Sequence, residues 1–274
     1  FLQAAARDAG VEPLGYLPRC EDFAAPSRYM GLSLDNLAKF SPTIDRIADA
    51  LEEHVDIERL LRLTRRPAFL PRKLTVNHYP LTIKKVAVAR DEAFNFIYRA
   101  NLDRLEELGC EVLFFSPLRD AAPPEGADLM YLPGGYPELF AGALSDNSSM
   151  RRAIRDYAEA GGRILAECGG MLYLCRSLVT AGGAEVTMCG VLPLEGTMEE
   201  ARLTLGYRRV QCGEHTIRGH EFHYSHVRGE MPSVARLFSA RGEEVATPLY
   251  RYKNVIAGYT HLYWAEGDPM KFFD

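Results

Sequence analysis

Six of the 274 residues are cysteines, at positions 20, 110, 168, 175, 189 and 212, and no two of them form a Cys-x-x-Cys pair. That absence removes the zinc-ribbon signature, and six cysteines at this length are too few for a disulfide framework. No apolar run approaches the roughly 20 residues that span a bilayer, and no signal-like segment opens the chain. A basic excess is missing as well: 32 basic residues stand against 37 acidic ones, a net charge of −5. Such a balance argues against a dedicated nucleic-acid binder, which needs surplus cations to neutralise phosphates. No G-x-x-x-x-G-K-[ST] phosphate loop, no H-E-x-x-H and no internal repeat occurs anywhere. The first residue is Phe1 and not methionine, and it already lies in a helical pattern, so a fragment is expected.

What remains is an ordinary globular composition, 47% hydrophobic and 25% charged. A reducing cytoplasm is the expected compartment, and it leaves a cysteine free to work as a thiol. Residues 1–64 read as the tail of an α/β unit. Val11 to Pro18 is a strand candidate. Ser41 is placed as the cap of a helix with Pro42 at its first position and a stripe of Ile44, Ile47, Ala48 and Leu51. Residues 65–82, with Pro67, Pro71 and Pro80, read as a linker. From residue 83 strands and helices alternate. Strands are expected at 85–90, 112–115, 128–132 and 163–167, and helices at 101–109 and 148–160. This order implies a doubly wound, mostly parallel sheet whose site lies at the carboxyl ends of the strands. Beyond residue 185 the texture turns to short strands.

The most informative stretch is Ile164 to Leu178. An apolar strand ends at Cys168 and a helix begins at once, with Met171, Leu174, Cys175 and Leu178 on one face. So tight a strand-to-helix turn is a nucleophile elbow, and it needs small neighbours, here Ala166, Gly169 and Gly170. A thiol at a helix start is expected to favour its thiolate. The N–H of Gly169 is expected to face a developing oxyanion, and the Gly134-Gly135 turn after the preceding strand supplies a second donor. Of seven histidines, at 54, 78, 215, 220, 223, 226 and 261, His261 suits the general base because it follows an apolar strand near the carboxyl end. Strand alternation sets His220 and His223 on opposite faces, which argues against a zinc site; His220 or Glu221 is expected to point toward the catalytic pocket.

Taken together, AECGGM at 166–171, LPGGYPE at 132–138, GHEFHYS at 219–225 and GYTHLYW at 258–264 resemble the cobyrinic acid a,c-diamide synthases. So do Asp91-Glu92-Ala93-Phe94 with Phe96 and Tyr98, and the segments LGYLPR at 14–19 and PSRYMGL at 26–32. The resemblance implies a class-I-like glutamine amidotransferase domain over 83–274, preceded by the tail of a P-loop, dethiobiotin-synthetase-like domain. It implies Cys168 as nucleophile, His261 as base, and Gly134, Gly135 and Gly169 as oxyanion and glutamine-binding positions. ATP and Mg²⁺ serve the full enzyme; the glutaminase domain is expected to need no cofactor or metal. The implied partners are glutamine and a corrinoid or related tetrapyrrole bearing acetate side chains, and a homodimer is compatible with the reading.

Two departures stand out. Ordinary class-I glutaminases place the base's orienting glutamate two residues after the histidine; here that position holds Tyr263, so a dyad or another orienter is implied, with Glu221 the candidate. The phosphate loop is missing, so ligation is not expected of this chain alone. The alternatives are a nickel-sirohydrochlorin a,c-diamide synthase, a cysteine hydrolase of the broader superfamily, and a non-catalytic scaffold that keeps the glutaminase fold.

Overall fold

The computed structural model describes residues 2–23, 27–28, 31–32, 37–66, 83–265 and 267–273. Contacts divide the chain into two compact units, Phe1–Asn77 and His78–Asp274. Most of the expected linker, residues 67–82, lies outside the described residues.

The first unit holds helices α1 (Leu2–Asp8), α2 (Leu37–His54) and α3 (Ile57–Thr64), and a two-residue antiparallel pair, β1 (Ser27–Arg28) with β2 (Gly31–Leu32). Two expectations are corrected here. Val11 to Pro18 forms no strand. Its one ladder contact is an isolated bridge between Gly15 and Val55, and Pro13 and Pro18 have no N–H to extend it. Helix α2 begins at Leu37, ahead of Ser41, so Pro42 lies inside it. A proline this near the start removes a single N–H···O bond, which the helix tolerates.

In the second unit the alternation is realised as β3 (Lys85–Ala89), α4 (Arg99–Glu107), β4 (Glu111–Phe115), β5 (Leu129–Leu132), α5 (Ala141–Asp146), α6 (Ser148–Glu159), β6 (Arg163–Glu167) and α7 (Gly169–Leu174). There follow β7 (Ser177–Val179), β8 (Glu185–Thr187), β9 (Glu195–Thr197), β10 (Thr204–Cys212), β11 (His215–His223), β12 (His226–Arg228), β13 (Arg236–Ser239), β14 (Glu244–Val245), β15 (Leu249–Tyr252), β16 (Val255–Gly258) and β17 (His261–Leu262). The central sheet runs β15-β16-β6-β5-β3-β4, parallel throughout except for the antiparallel edge strand β15.

Successive strand residues face opposite sides, and the core divides accordingly. Ala87, Met130, Ile164 and Ala166 join α5, α6 and α7 in one cluster. Val86, Leu129, Tyr131 and Leu165 join α4, Trp264 and the inner face of a five-stranded antiparallel sheet, β14-β13-β10-β11-β17, in the other. A third sheet, β12-β9-β7-β8, follows α7. Helix α7 is shorter than expected. It stops at Leu174, and Cys175 turns into an extended conformation that leads to β7. Every residue of α7 is buried, so apolar spacing carried no information about where the helix ends.

Candidate functional site

Cys168 has φ 47° and ψ −105°. It is one of three non-glycine residues with positive φ among the described residues, a conformation that costs free energy and marks a turn held in place by its surroundings. The holding contacts are identifiable. The Cys168 N–H donates to the Gly258 carbonyl at 2.7 Å, and the Cys168 carbonyl accepts from Leu172 N–H at 3.0 Å, the first bond of α7. A Cβ on Gly170 would strike the Leu132 carbonyl, and one on Gly169 would stand 2.8 Å from Pro137 Cδ and 3.1 Å from Gly135 N. The elbow therefore closes directly onto the Gly134-Gly135 turn at the end of β5.

That turn is fixed from its other side by the segment after β3. Asp91 accepts from the backbone N–H groups of Ala93 and Phe94 at 2.9 and 3.1 Å, and from Ser116 Oγ and Leu118 N at 2.8 and 3.0 Å. The loop so formed receives the Tyr136 N–H on the Ala93 carbonyl at 2.9 Å and donates the Phe96 N–H to the Gly134 carbonyl at 3.1 Å. Gly135 has φ 155° and lies against the Ala93 backbone, so only glycine fits there.

His261 stands on the same turn. A Cβ on Gly134 would collide with the His261 ring at Cε1, and the Phe96 ring is tilted over it with centroids 4.4 Å apart. The backbone around His261 is anchored by Asn101, which donates to the Leu262 carbonyl at 2.8 Å and accepts from Trp264 N–H at 3.0 Å. Cys168, Gly134, Gly135, Gly169 and His261 thus gather around one β5–β6 junction.

Burial governs the electrostatics. It pushes the Cys168 thiol up to about 12, with Glu138 adding to the rise and the Gly169 N–H opposing it. It pushes His261 down to about 3, helped by His220 and His223. The expectation of a resting thiolate is corrected: desolvation outweighs the six-residue helix behind it. Thiol and imidazole are both neutral at rest.

His220 is half-buried and pairs across the sheet with His261. Its ring lies 6.1 Å from the His261 ring, and its Nδ1 is 3.5 Å from Tyr98 Oη. His223 projects to the other face, stacked on Tyr259 at 3.7 Å. Glu221 is directed elsewhere than His261: it pairs with Arg208 Nε at 2.9 Å and accepts from Thr247 and Thr260 hydroxyls at 3.1 and 2.9 Å. The carboxylate beside His261 is Glu167, with Oε2 3.9 Å from Nδ1. In the sequence Glu167 reads as the last residue of an apolar strand, and only its charge at the end of a buried run signalled more. Among the described residues no group of three or more His, Cys, Asp and Glu side chains could hold a metal, and no helix is long and apolar enough to cross a membrane.

Residues 85–269 match the model of the CobB/CobQ-like glutamine amidotransferase domain. The chain belongs to this family. It is 42% identical over 258 residues to the hydrogenobyrinate a,c-diamide synthase of Stutzerimonas stutzeri (strain A1501), covering 93% of this chain and 58% of that protein. To the cobyrinate a,c-diamide synthase of Caldanaerobacter subterraneus subsp. tengcongensis it is 35% identical over 286 residues, covering 98% of this chain and 62% of the relative. The chain therefore spans about three fifths of the length of these relatives. A crystal structure of a glutamine amidotransferase is 22% identical, with a TM-score of 0.47, over 69% of this chain and 96% of that one. The matched amidotransferase region takes in the elbow, the glycine turn, His220, Glu221 and His261.

Proposed function

We propose that the region from residue 83 onward is a glutaminase that supplies ammonia to an ATP-dependent a,c-diamide synthase. Its acceptor is cobyrinic or hydrogenobyrinic acid, and it acts in the reducing cytoplasm. The reading of the acceptor rests on the names of the relatives, and residues 1–64 are taken as part of the synthetase domain. No G-x-x-x-x-G-K-[ST] is present, so the residues at hand do not form a P-loop for ATP and Mg²⁺, and no step below passes through them.

The observation that carries the glutaminase reading is the strained Cys168 elbow packed on the Gly134-Gly135 turn that also seats His261. In this mechanism Cys168 Sγ attacks the side-chain amide carbon of glutamine as its proton passes to His261. The carbonyl oxygen becomes an oxyanion facing the Gly169 and Gly135 N–H groups. His261 returns the proton to the amide nitrogen, the C–N bond breaks, and ammonia leaves a thioester on Cys168. Water, deprotonated by His261, then attacks the thioester to give glutamate and the free thiol. Because thiol and imidazole start neutral, proton transfer and attack occur together, with no standing ion pair.

Diazo-oxonorleucine, a glutamine analogue with an electrophilic carbon, tests this by intact mass and peptide mapping. One adduct is expected, at Cys168, absent in Cys168→Ala and slow in His261→Ala. Labelling at Cys20, Cys110, Cys175, Cys189 or Cys212 instead rejects the assignment.

A further inference from the structure

A general base that takes a proton from sulfur through Nε2 must keep its other nitrogen protonated and its ring fixed. The usual means is a carboxylate on Nδ1. His261 Nδ1 is buried and has no hydrogen-bond partner. Tyr263, two residues on, is 37% exposed and meets Tyr98 edge-on at 6.2 Å. Glu221 has its oxygens committed to Arg208, Thr247 and Thr260.

Building on the glutaminase reading, we propose that Glu167 is the positioning residue for His261, so that orienter and nucleophile are consecutive residues of one elbow. Glu167 is 2% exposed. Its Oε1 accepts from the Leu262 N–H at 3.1 Å and its Oε2 from Tyr131 Oη at 2.7 Å. The first bond ties it to the residue directly after the base, so ring and carboxyl group move together. Oε2 lies 3.9 Å from His261 Nδ1, and a shift of about 1 Å forms the bond, within the tightening usual on substrate binding. The Leu262 N–H and Tyr131 Oη that donate to this carboxyl group are neutral, and the cation-forming group beside it is His261. The carboxyl group is therefore free to answer the charge that His261 acquires.

Strand alternation explains how one turn presents both groups. Glu167 shares the face of Leu165 with Tyr131 and Trp264, whereas Cys168 belongs to the opposite cluster with Ala166 and Met171. Strand β6 separates them, and His261, entering from β17, stands beside Glu167 and against the Gly134-Gly135 turn onto which the elbow closes. The position two residues after the histidine thus becomes dispensable as an orienter, and Tyr263 can turn outward.

The test compares Glu167→Gln with the unaltered chain in glutamine hydrolysis and in alkylation by diazo-oxonorleucine at about pH 9, where Glu167, raised by burial to about 8, carries its charge. Glutamine is isosteric, keeps an acceptor for Leu262 and can donate to Nδ1, which fixes the tautomer whose Nε2 carries a proton and is no base. The expected result is a fall in kcat of roughly 100- to 10,000-fold, with KM within about threefold and matched slowing of alkylation. Glu167→Ala opens a space beside Nδ1, and added acetate is expected to restore part of its kcat. A Glu167→Gln kcat within about threefold of the unaltered chain overturns the proposal, as does a loss confined to KM. If the unaltered chain neither hydrolyses glutamine nor is alkylated at Cys168, the glutaminase reading itself fails, a result distinct from both.

Discussion

The end of β6 and the middle of β11 each bury a glutamate, Glu167 at 2% and Glu221 at 0% exposure, and the surroundings treat the two differently. Glu221 meets a guanidinium 2.9 Å away and two hydroxyls, so its charge is matched by a cation and by hydrogen bonds. Among the described residues the donors on Glu167 are neutral, a tyrosine and a backbone N–H among them, with a histidine just beyond bonding distance. Burial pushes Glu167 up to about 8, and its neutral donors only partly offset the rise. A buried carboxylate is thus no mark of function by itself. The informative one is the one whose countercharge has yet to form.

The comparison can be broken most severely at the thiol. Cys168→Ala is expected to lower glutamine hydrolysis by at least about 10,000-fold, because the nucleophile has no substitute. The fold should survive, since alanine removes only a sulfur, and a melting curve close to that of the unaltered chain checks this. Residual hydrolysis near the starting rate would leave Glu167 with no reaction to serve.

Next comes the structural member of the pair. Arg208→Met leaves Glu221 buried without its cation, and breaking a buried pair from one side costs about 3–5 kcal/mol. The expected readout is a large drop in the denaturation midpoint, whereas Glu167→Gln lowers kcat without lowering that midpoint. Should Arg208→Met instead lower kcat at full stability, the two glutamates would not divide into structural and functional roles as argued. A smaller effect is expected at Gly134→Ala, whose new Cβ meets the His261 ring. Overpacking of this kind costs about 1–3 kcal/mol. Because the ring is what must yield, kcat is expected to fall by roughly tenfold to a hundredfold, measured with glutamine at saturation.

Sequence pattern made the parallel half of this molecule legible, and particular residues say why. The strand ending at Glu167, the glycines at 134, 135, 169 and 170, and the histidine after β16 all sit where local chemistry and global topology demand the same residue. Helix α7 ends earlier than its apolar spacing predicts because it is buried on all sides and has no polar face to set its phase. The pairing of β11 with β17 depends on contacts some forty residues apart, which no local window contains. Glu221 and Glu167 were hardest to tell apart. Each reads as a lone acid in a strand, and the arginine that settles one of them is thirteen residues away on another strand.

The smallest effect is the most discriminating, because it reads the Glu167 proton directly. A carboxyl group raised in the folded state holds a proton that the unfolded chain, with an ordinary glutamate near 4.3, has already released. Stability from this source is complete below about pH 4.3 and is lost as pH climbs toward about 8. His261, lowered to about 3, acts oppositely, but only below its ordinary value of about 6.5. Between about pH 6.5 and 8 the histidine therefore drops out, and Cys168, raised to about 12, has not begun to contribute. In that window the unaltered chain is expected to lose roughly 1 kcal/mol of stability per pH unit through Glu167. The loss should be gone in Glu167→Gln and unchanged in Arg208→Met, as urea midpoints across the window will report. Parallel slopes in the unaltered chain and Glu167→Gln would mean that Glu167 is ionised throughout, already a carboxylate on His261 before any substrate arrives.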